Sequence, residues 1–235
     1  MAVKRILLKL SGEQLSGKFE VGIDPEIVDY IAKEIIDAKK LKVEFVVVIG
    51  GGNMVRGAEV AGHGIRRVTA DHMGMLSGLM NAIAVTDIFE ARGIVTRCLS
   101  NIFADQVAEA YSFRRADKHL DQGRVVIVAG GLGRPYFTHD VAAVNMALEL
   151  DCESALKATK VDGVYNKDPV KHNDAKRYDS LDYQTAVENP HIKVMDKAAL
   201  GLAMEQHMPV VVFDIMKPGN LRKIVEGKKV GTRIS

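Results

Sequence analysis

The sequence predicts an α/β protein whose strands run mainly parallel, and three observations carry that prediction. Residues 46–49 and 125–129 are runs of β-branched and small apolar residues, typical of strands that are buried on both faces. Each run ends in a glycine-rich segment, at positions 50–52 and 130–133. An amphipathic stretch over residues 25–41 lies between two predicted strands, and this order favours a right-handed parallel crossover.

The other elements follow from periodicity and from turn residues. Strands are predicted at residues 5–10, 43–49, 95–99, 125–129, 155–159, 210–213 and 231–235. Helices are predicted at residues 25–41, 71–92, 138–150, 196–207 and 219–226, and over parts of 103–122. Residues 55–68 are ambiguous because three glycines interrupt them. The Asp162-Gly163 pair predicts a hairpin-type turn, and residues 166–174 predict a surface loop. Met73, Met75 and Met80 are predicted to pack in the core.

Length and composition limit the class of protein. The chain has 235 residues, enough for one α/β domain or at most two small domains. A hydrophobic content of 47%, a charged content of 26% and a net charge of +2 predict a globular protein with no nucleic-acid or membrane partner. The two cysteines have no metal-site spacing. With no export signal recognised, they predict reduced thiols in a cytoplasmic protein.

The two glycine-rich segments are candidate anion sites. Without Cβ atoms, backbone N–H groups at the end of a strand can close around a negatively charged group. A tight turn is the alternative explanation for either segment, and neither has the spacing of a Walker A loop or of a dinucleotide fingerprint. Two such loops, each after a buried strand, indicate two anionic groups held close together. A phosphotransferase needs that arrangement.

Five charged residues are candidates for the chemistry. Lys9 ends an apolar strand just before Ser-Gly, where its ammonium group can face a phosphate. Arg56 lies four residues after the first glycine loop and can reach the same anion, although a lone Arg is ordinarily exposed. Lys157 lies within an apolar strand, which is costly unless the lysine reaches a partner. For Asp71 and Asp140, a carboxylate in the first turn of a helix explains the residue equally well.

Several motifs resemble those of the bacterial uridylate (UMP) kinases, members of the amino-acid kinase superfamily. They are Lys-Leu-Ser-Gly at 9–12, the segment 50–57, Asp-His-Met-Gly-Met at 71–75, Asn81, and the segments 135–140, 157–165 and 193–196. The resemblance runs from residue 4 to residue 234. The glycine loops are shared across the superfamily, whereas residues 71–81 and 159–168 narrow the resemblance to the UMP kinases.

The resemblance implies a three-layer α/β/α sandwich around a mostly parallel sheet, forming one kinase domain over residues 1–235. Roughly residues 1–155 would bind the acceptor and roughly 156–235 would bind ATP. The implied reaction moves the γ-phosphoryl group of ATP to UMP, giving UDP and ADP in pyrimidine nucleotide biosynthesis. Mg²⁺ would be the cofactor, held mainly by the ATP phosphates and not by protein ligands.

The resemblance also implies roles for individual residues. The catalytic residues would be Lys9, Arg56, Asp140 and Lys157, with Asp140 orienting the lysines. The ATP-binding residues would be Lys9, Leu10, Ser11, Gly12, Gly52, Arg56, Thr159, Tyr165 and Asp168. The UMP-binding residues would be Gly51, Asp71, Leu132, Gly133, Arg134, Pro135, Tyr136, Phe137, Thr138 and His139. The family often has Thr at positions 132 and 139, so hydrogen bonds from those two side chains are less expected here.

Bacterial members of the family are typically homohexamers that GTP activates and UTP inhibits, so these become expected partners besides ATP and UMP. Three alternatives stay open. The chain could be a carboxylate or amino-acid kinase, although residues 135–140 and Asp71 favour a nucleotide acceptor. It could be a non-catalytic nucleotide-binding protein, which the retained charged residues argue against. A nucleic-acid regulator rests only on Arg114, Arg115 and the lysine-rich residues 217–229, and such charge runs are usually solvated.

Overall fold

The computed structural model describes residues 3–55, 57–61, 64–167, 169, 171–190, 192 and 194–235. These residues form nine strands and nine helices. The strands are β1 (Arg5–Leu10), β2 (Glu44–Ile49), β3 (Thr96–Ser100), β4 (Glu109–Ala110), β5 (Val125–Ala129), β6 (Ala155–Thr159), β7 (Ser180–Leu181), β8 (Val210–Asp214) and β9 (Thr232–Ile234). The helices are α1 (Gly12–Leu15), α2 (Pro25–Lys39), α3 (Gly57–Val60), α4 (Arg67–Ala91), α5 (Phe113–Asp121), α6 (His139–Glu149), α7 (Tyr183–Glu188), α8 (Lys197–Glu205) and α9 (Asn220–Val225).

All nine strands belong to one sheet, in the order β4-β3-β5-β2-β1-β6-β8-β9-β7. The strand pairs of the described residues are parallel except β8 with β9, which run antiparallel. Helices α2, α4 and α9 contribute to the apolar core on one face of the sheet, and α5, α6, α7 and α8 contribute to the core on the other. The fold is therefore a three-layer α/β/α sandwich, as predicted.

The central strand β1 shows how the sequence builds these layers. Ile6, Leu8 and Leu10 pack in the core that contains α2, whereas Leu7 packs in the core that contains α6. Successive side chains of a strand point to opposite faces. Lys9 therefore lies on the same face as Leu7, toward α6, and this direction decides which groups it meets.

Most predicted elements are confirmed, with shifted ends. Helix α2 begins at Pro25, and the Asp24 carboxylate accepts a hydrogen bond from Glu26 N at 3.0 Å, as an N-cap does. Helix α4 begins at Arg67, inside the stretch that was ambiguous. The short elements α1, β4, β7 and α7 were not predicted. None of the helices in the described part of the chain is long and apolar enough to cross a membrane.

Two predictions are wrong. Asp162-Gly163 does not close a hairpin, because Val164 N donates to Thr232 Oγ1 at 2.8 Å and Tyr165 instead forms an antiparallel bridge with Arg177. Met80 does not pack in the core: it is 56% exposed, whereas Met75 is buried and Met73 is only half-buried. Leu76, one helical turn earlier, is 49% exposed, so α4 carries a second apolar face that points away from the sheet.

Candidate active site

The candidate active site lies at the carboxyl ends of the central strands. Strand β1 is the point where the strand order reverses, since β2 lies on one side of it and β6 on the other. Ligands of open α/β sheets bind in the crevice at such a reversal. The predicted residues of the β1, β2 and β6 ends are therefore brought to one place.

Lys9, Asp140 and Lys157 form a charged triad at this point. Lys9 and Lys157 are register partners on the neighbouring parallel strands β1 and β6, so both side chains leave the same face of the sheet. Asp140, in the first turn of α6, lies between them: Oδ1 is 2.9 Å from Lys9 Nζ and Oδ2 is 2.6 Å from Lys157 Nζ. The three side chains are only 11%, 12% and 14% exposed for Lys9, Asp140 and Lys157 respectively.

Burial and the attraction between opposite charges act in opposite directions on Asp140 and Lys157. Burial disfavours the charged carboxylate, but Lys9 and Lys157 together outweigh it and hold the pKa of Asp140 below its ordinary value. Burial lowers the pKa of Lys157, and the pull of Asp140 opposes that effect. The net charge of the triad is +1, and two of its members, Lys9 and Asp140, line the cavity beside the glycine loop.

The first glycine loop forms one wall of a cavity of about 210 Å³. Eight of the lining residues are predicted site residues, and Glu13 and Gly50 line the cavity in addition. The predicted ones are Lys9, Ser11, Gly12, Gly51, Gly52, Thr138, His139 and Asp140. The loop lies directly against α4, because a Cβ on Gly51 would be 2.4 Å from Gly74 O and 2.7 Å from Gly78 N. Only glycine permits this close approach of two backbones. The side chain of Leu10 is fully buried in the core, and the prediction that this residue binds ATP stays a prediction.

A buried pair of amides fixes the loop, and sequence reasoning missed it. Asn53 Nδ2 donates to Asn81 Oδ1 at 2.9 Å, and Asn81 Nδ2 donates back to Asn53 Oδ1 at 2.7 Å. Asn81 Nδ2 also donates to Gly50 O at 2.7 Å. The signal in the sequence was an Asn three residues after Gly78, on the mainly apolar buried face of α4.

The second glycine loop approaches the first through His139. Gly130, Gly131 and Gly133 have φ values of 77°, 57° and 67°, which a left-handed turn requires, and Asn101 Nδ2 donates to Gly131 O at 2.7 Å. The imidazole of His139 lies between α4 and this loop: a Cβ on Gly78 would be 3.0 Å from Nε2, and one on Gly131 would be 3.7 Å from it. Nε2 is buried with no hydrogen-bond partner among the described residues. Burial, and then the charge of Lys9, lowers the pKa of His139 to about 4.

The predicted acceptor residues also come together. Asp71 Oδ2 accepts a hydrogen bond from Tyr136 N at 2.8 Å, and Asp71 Oδ1 is 2.7 Å from Arg67 Nε. Arg67 also lies over the Tyr136 ring, 5.5 Å from its centroid. Thr138 is the N-cap of α6 and donates a hydrogen bond to the Asp196 carboxylate. Leu132 is partly buried against the core, and Arg134 and Phe137 are exposed beside the half-buried Gly133 and Pro135.

The predicted ATP nucleoside residues lie on the other side of β1. Thr159 ends β6, and the Tyr165 hydroxyl donates to Asp162 Oδ1 at 2.5 Å. Arg56 and Asp168 fall outside the described residues, so the predictions made for them stay predictions. Among the residues that the structure describes, no group of three His, Cys, Asp or Glu side chains is placed to hold a metal ion.

Several known proteins are similar to this chain in sequence and in fold. The model of the amino acid kinase family matches residues 4–214. A curated uridylate kinase from Xanthomonas oryzae pv. oryzae is 46% identical over 234 residues, covering 100% of this chain and 97% of that protein. The crystal structure of UMP kinase from Bacillus anthracis is similar, with a TM-score of 0.95, 38% identity, and coverage of 100% of this chain and 97% of that one. The structure of UMP kinase from Ureaplasma parvum has a TM-score of 0.91 and 32% identity, with both chains fully covered.

Proposed function

Since the chain belongs to the amino acid kinase family, and within it to the uridylate kinases, we propose that it transfers the γ-phosphoryl group of ATP to UMP. The products are UDP and ADP, in pyrimidine nucleotide biosynthesis. The single observation that carries the proposal is the triad, in which Asp140 bridges Lys9 and Lys157, and Lys9 and Asp140 line a cavity built from the first glycine loop.

The geometry suits phosphoryl transfer because that reaction needs placement and positive charge more than covalent help. Lys9 and Lys157 supply two ammonium groups whose positions are fixed, so little reorganisation is needed as charge shifts between the phosphates. Asp140 orients them; with its lowered pKa it stays ionised and is a poor proton acceptor. A phosphate monoester is already an anionic nucleophile near neutral pH, so no general base is required.

We assign the two substrates to the two sides of β1. The acceptor nucleotide would lie toward Gly51, Asp71 and residues 132–139, and the donor toward residues 9–12, Gly52, Thr159 and Tyr165, together with Arg56 and Asp168. Asp71 supports the acceptor side because it already contacts the backbone of the 132–139 segment. Residues 1–155 would then supply mainly the acceptor half of one kinase domain, and residues 156–235 mainly the donor half.

Mg²⁺ is the cofactor that we propose with ATP. This ion usually keeps several waters and binds through one or two carboxylates plus substrate phosphates. The cavity fits the phosphates of a metal–nucleotide complex because Lys9 and the glycine loop line it, and both oxygens of Asp140 are engaged by the lysines. The bound ion would add positive charge at the transferred group.

Self-association is proposed from the second apolar face of α4. Leu76 and Met80 are large, apolar and about half exposed, and an apolar face of this kind fits burial against another copy of the chain. The homohexamer, activation by GTP, inhibition by UTP and a cytoplasmic location all stay predictions.

An acceptor panel tests the proposed reaction. Purified protein with Mg²⁺ and ATP should phosphorylate UMP much faster than CMP, dCMP or acetylglutamate, measured by separating and quantifying the products. A clear preference for a carboxylate acceptor would instead support the alternative of an amino-acid kinase.

Lys9→Ala tests the role of the triad. We expect the turnover number to fall far more than the affinity for UMP, because the ammonium group acts most strongly on the transition state. Lys4→Ala, at an exposed position just before the same strand, is the matched control and should leave kcat unchanged. Equal losses in binding and turnover for Lys9→Ala would contradict the assignment.

A further inference from the structure

A second cavity lies at the amino ends of the central parallel strands, whereas the candidate active site lies at their carboxyl ends. Its volume is about 540 Å³, within the range of small-molecule sites. It is formed where the amino ends of β1, β6 and β8 meet β9, and Ile6, Val211 and Ile224 give it an apolar floor. None of the residues assigned to ATP or UMP lines it.

The rim of this rear cavity carries an excess of positive charge. Two of its basic residues are neutralised: Lys228 is 2.7 Å from Glu226, and Arg177 is 3.2 Å from Asp179. Lys229 and Arg233 line the same rim, and neither forms an ion pair within the described residues. Ser154, which is 9% exposed, also lines the cavity.

The charged groups of the rear cavity that form no ion pair indicate which class of ligand it would bind. Lys229 and Arg233 remain above an apolar floor beside one carboxylate, Glu153, whose Oε1 accepts a hydrogen bond from Lys4 N at 2.6 Å. The remaining net charge is positive, so the cavity would bind an anionic head whose body is apolar. A few convergent polar groups in a mostly apolar cavity are the usual composition of a small-molecule site.

Arg177 connects the rear cavity to the proposed donor side. Its guanidinium contacts Asp179 at the cavity rim and also Asp162, with Nη1 3.3 Å from Asp162 Oδ2. Asp162 is the acceptor for the Tyr165 hydroxyl and is 3.1 Å from Lys217 Nζ. An anion in the cavity would compete with Asp162 for Arg177 and so release one restraint on the segment that carries Tyr165.

We propose that the rear cavity is a regulatory site for a small amphipathic anion, namely a carboxylate, sulfonate or phosphate attached to an apolar ring or chain. Binding draws Arg177 away from Asp162 and weakens the binding of ATP. The site itself is independent of the proposed function, whereas the effect on ATP rests on it.

The site is tested with the fluorescent probe 8-anilinonaphthalene-1-sulfonate, which joins a sulfonate to apolar rings. With ADP and UMP at saturation, so that the nucleotide sites are filled, the probe should bind with one saturable phase. Lys229→Glu should weaken that phase by about tenfold, the ratio that corresponds to ~1.4 kcal/mol. Val230→Trp, which fills the cavity without changing its charge, should weaken it as well. Lys118→Glu, the same charge change on the exposed face of α5, should leave it within about twofold.

The outcomes separate the two parts of the proposal. Equal probe affinity in the wild type, Lys229→Glu and Val230→Trp would overturn the site. If the site stands, the probe should raise the KM for ATP severalfold in the wild type and much less in Lys229→Glu, whose basal activity should be unchanged. An unchanged KM in the wild type would overturn the link through Arg177. A protein that does not phosphorylate UMP at all would refute the proposed function, while the binding experiment would still decide the site.

Discussion

Replacing Asp140 by Asn removes the charge that holds the Lys9–Asp140–Lys157 triad together while keeping the shape of the side chain. At an effective dielectric constant near 20, each ion pair at the observed separations has a gross attraction of about 6 kcal/mol. Desolvation of three buried charges offsets much of this attraction. Removing one member of a buried ion pair ordinarily costs about 3–5 kcal/mol, because the partner charges remain buried and unpaired. We expect Asp140→Asn to lower the free energy of unfolding by that amount.

The assay is urea denaturation at pH 7, followed by circular dichroism and repeated by differential scanning calorimetry. Asp174→Asn is the matched control, since Asp174 pairs with Lys167 at the surface and is 77% exposed. It should change the free energy of unfolding by less than about 1 kcal/mol. A loss for Asp140→Asn no larger than that of the control would refute the view that the triad is an interdependent buried unit.

A second check is the pH dependence of the difference in unfolding free energy between the wild type and Asp140→Asn. The pKa of Asp140 in the folded protein lies below its ordinary value of 3.8, so the unfolded chain binds this proton more readily. The stabilisation by the carboxylate is therefore complete above the unfolded value and is lost as the pH falls through the folded one. The difference between wild type and Asp140→Asn should be constant from pH 5 to pH 8 and should shrink below about pH 4.

Two further predictions concern the glycine loops and His139. Gly51→Ala should raise the KM for UMP and lower the free energy of unfolding by about 1–3 kcal/mol, because its Cβ would overlap the backbone of α4. In urea assays, Gly50→Ala should change the free energy of unfolding little, since the nearest atom to its Cβ is 3.5 Å away. The pKa of His139 is lowered from 6.5 to about 4, so the unfolded chain binds an extra proton between these values. Urea midpoints of the wild type should therefore fall between pH 6.5 and pH 4.5 more steeply than those of His139→Asn; equal slopes would contradict a buried neutral imidazole.

The secondary-structure elements could be predicted where the hydrophobic pattern extends over many residues. The apolar runs of β1, β2, β5 and β6 and the periodicity of α2 carry enough residues to identify the element type. The short elements could not be found in this way, since β4 and β7 have two residues each and α1 has four. Such segments are ordered by the neighbours they pair with and not by their own sequence.

The site was predictable only in part. Lys157 stood out because a lysine inside a buried strand needs a partner, and the structure supplies one. Asp140 did not stand out, since a carboxylate in the first turn of a helix is favourable anyway. Its partners are fixed by the docking of α6 on the sheet, at sequence separations of 17 and 131 residues from Lys157 and Lys9. The pairing of Asn53 with Asn81 is likewise a tertiary event, across 28 residues.

The hydrogen-bonded pair of Asn53 and Asn81 determines whether the first glycine loop becomes ordered during folding or during each catalytic cycle. Because Asn53 and Asn81 each donate to and accept from the other, the first glycine loop is fixed by the fold before any nucleotide arrives. The entropy cost of ordering this backbone is met once, when the chain folds, and is not repeated in every turnover. Rearrangement on binding then falls to the exposed side chains of the acceptor segment, such as Tyr136 and Phe137. Substitutions in residues 132–139 should therefore change the rates of nucleotide entry and release far more than substitutions of Asn53 or Asn81, which hold the first glycine loop.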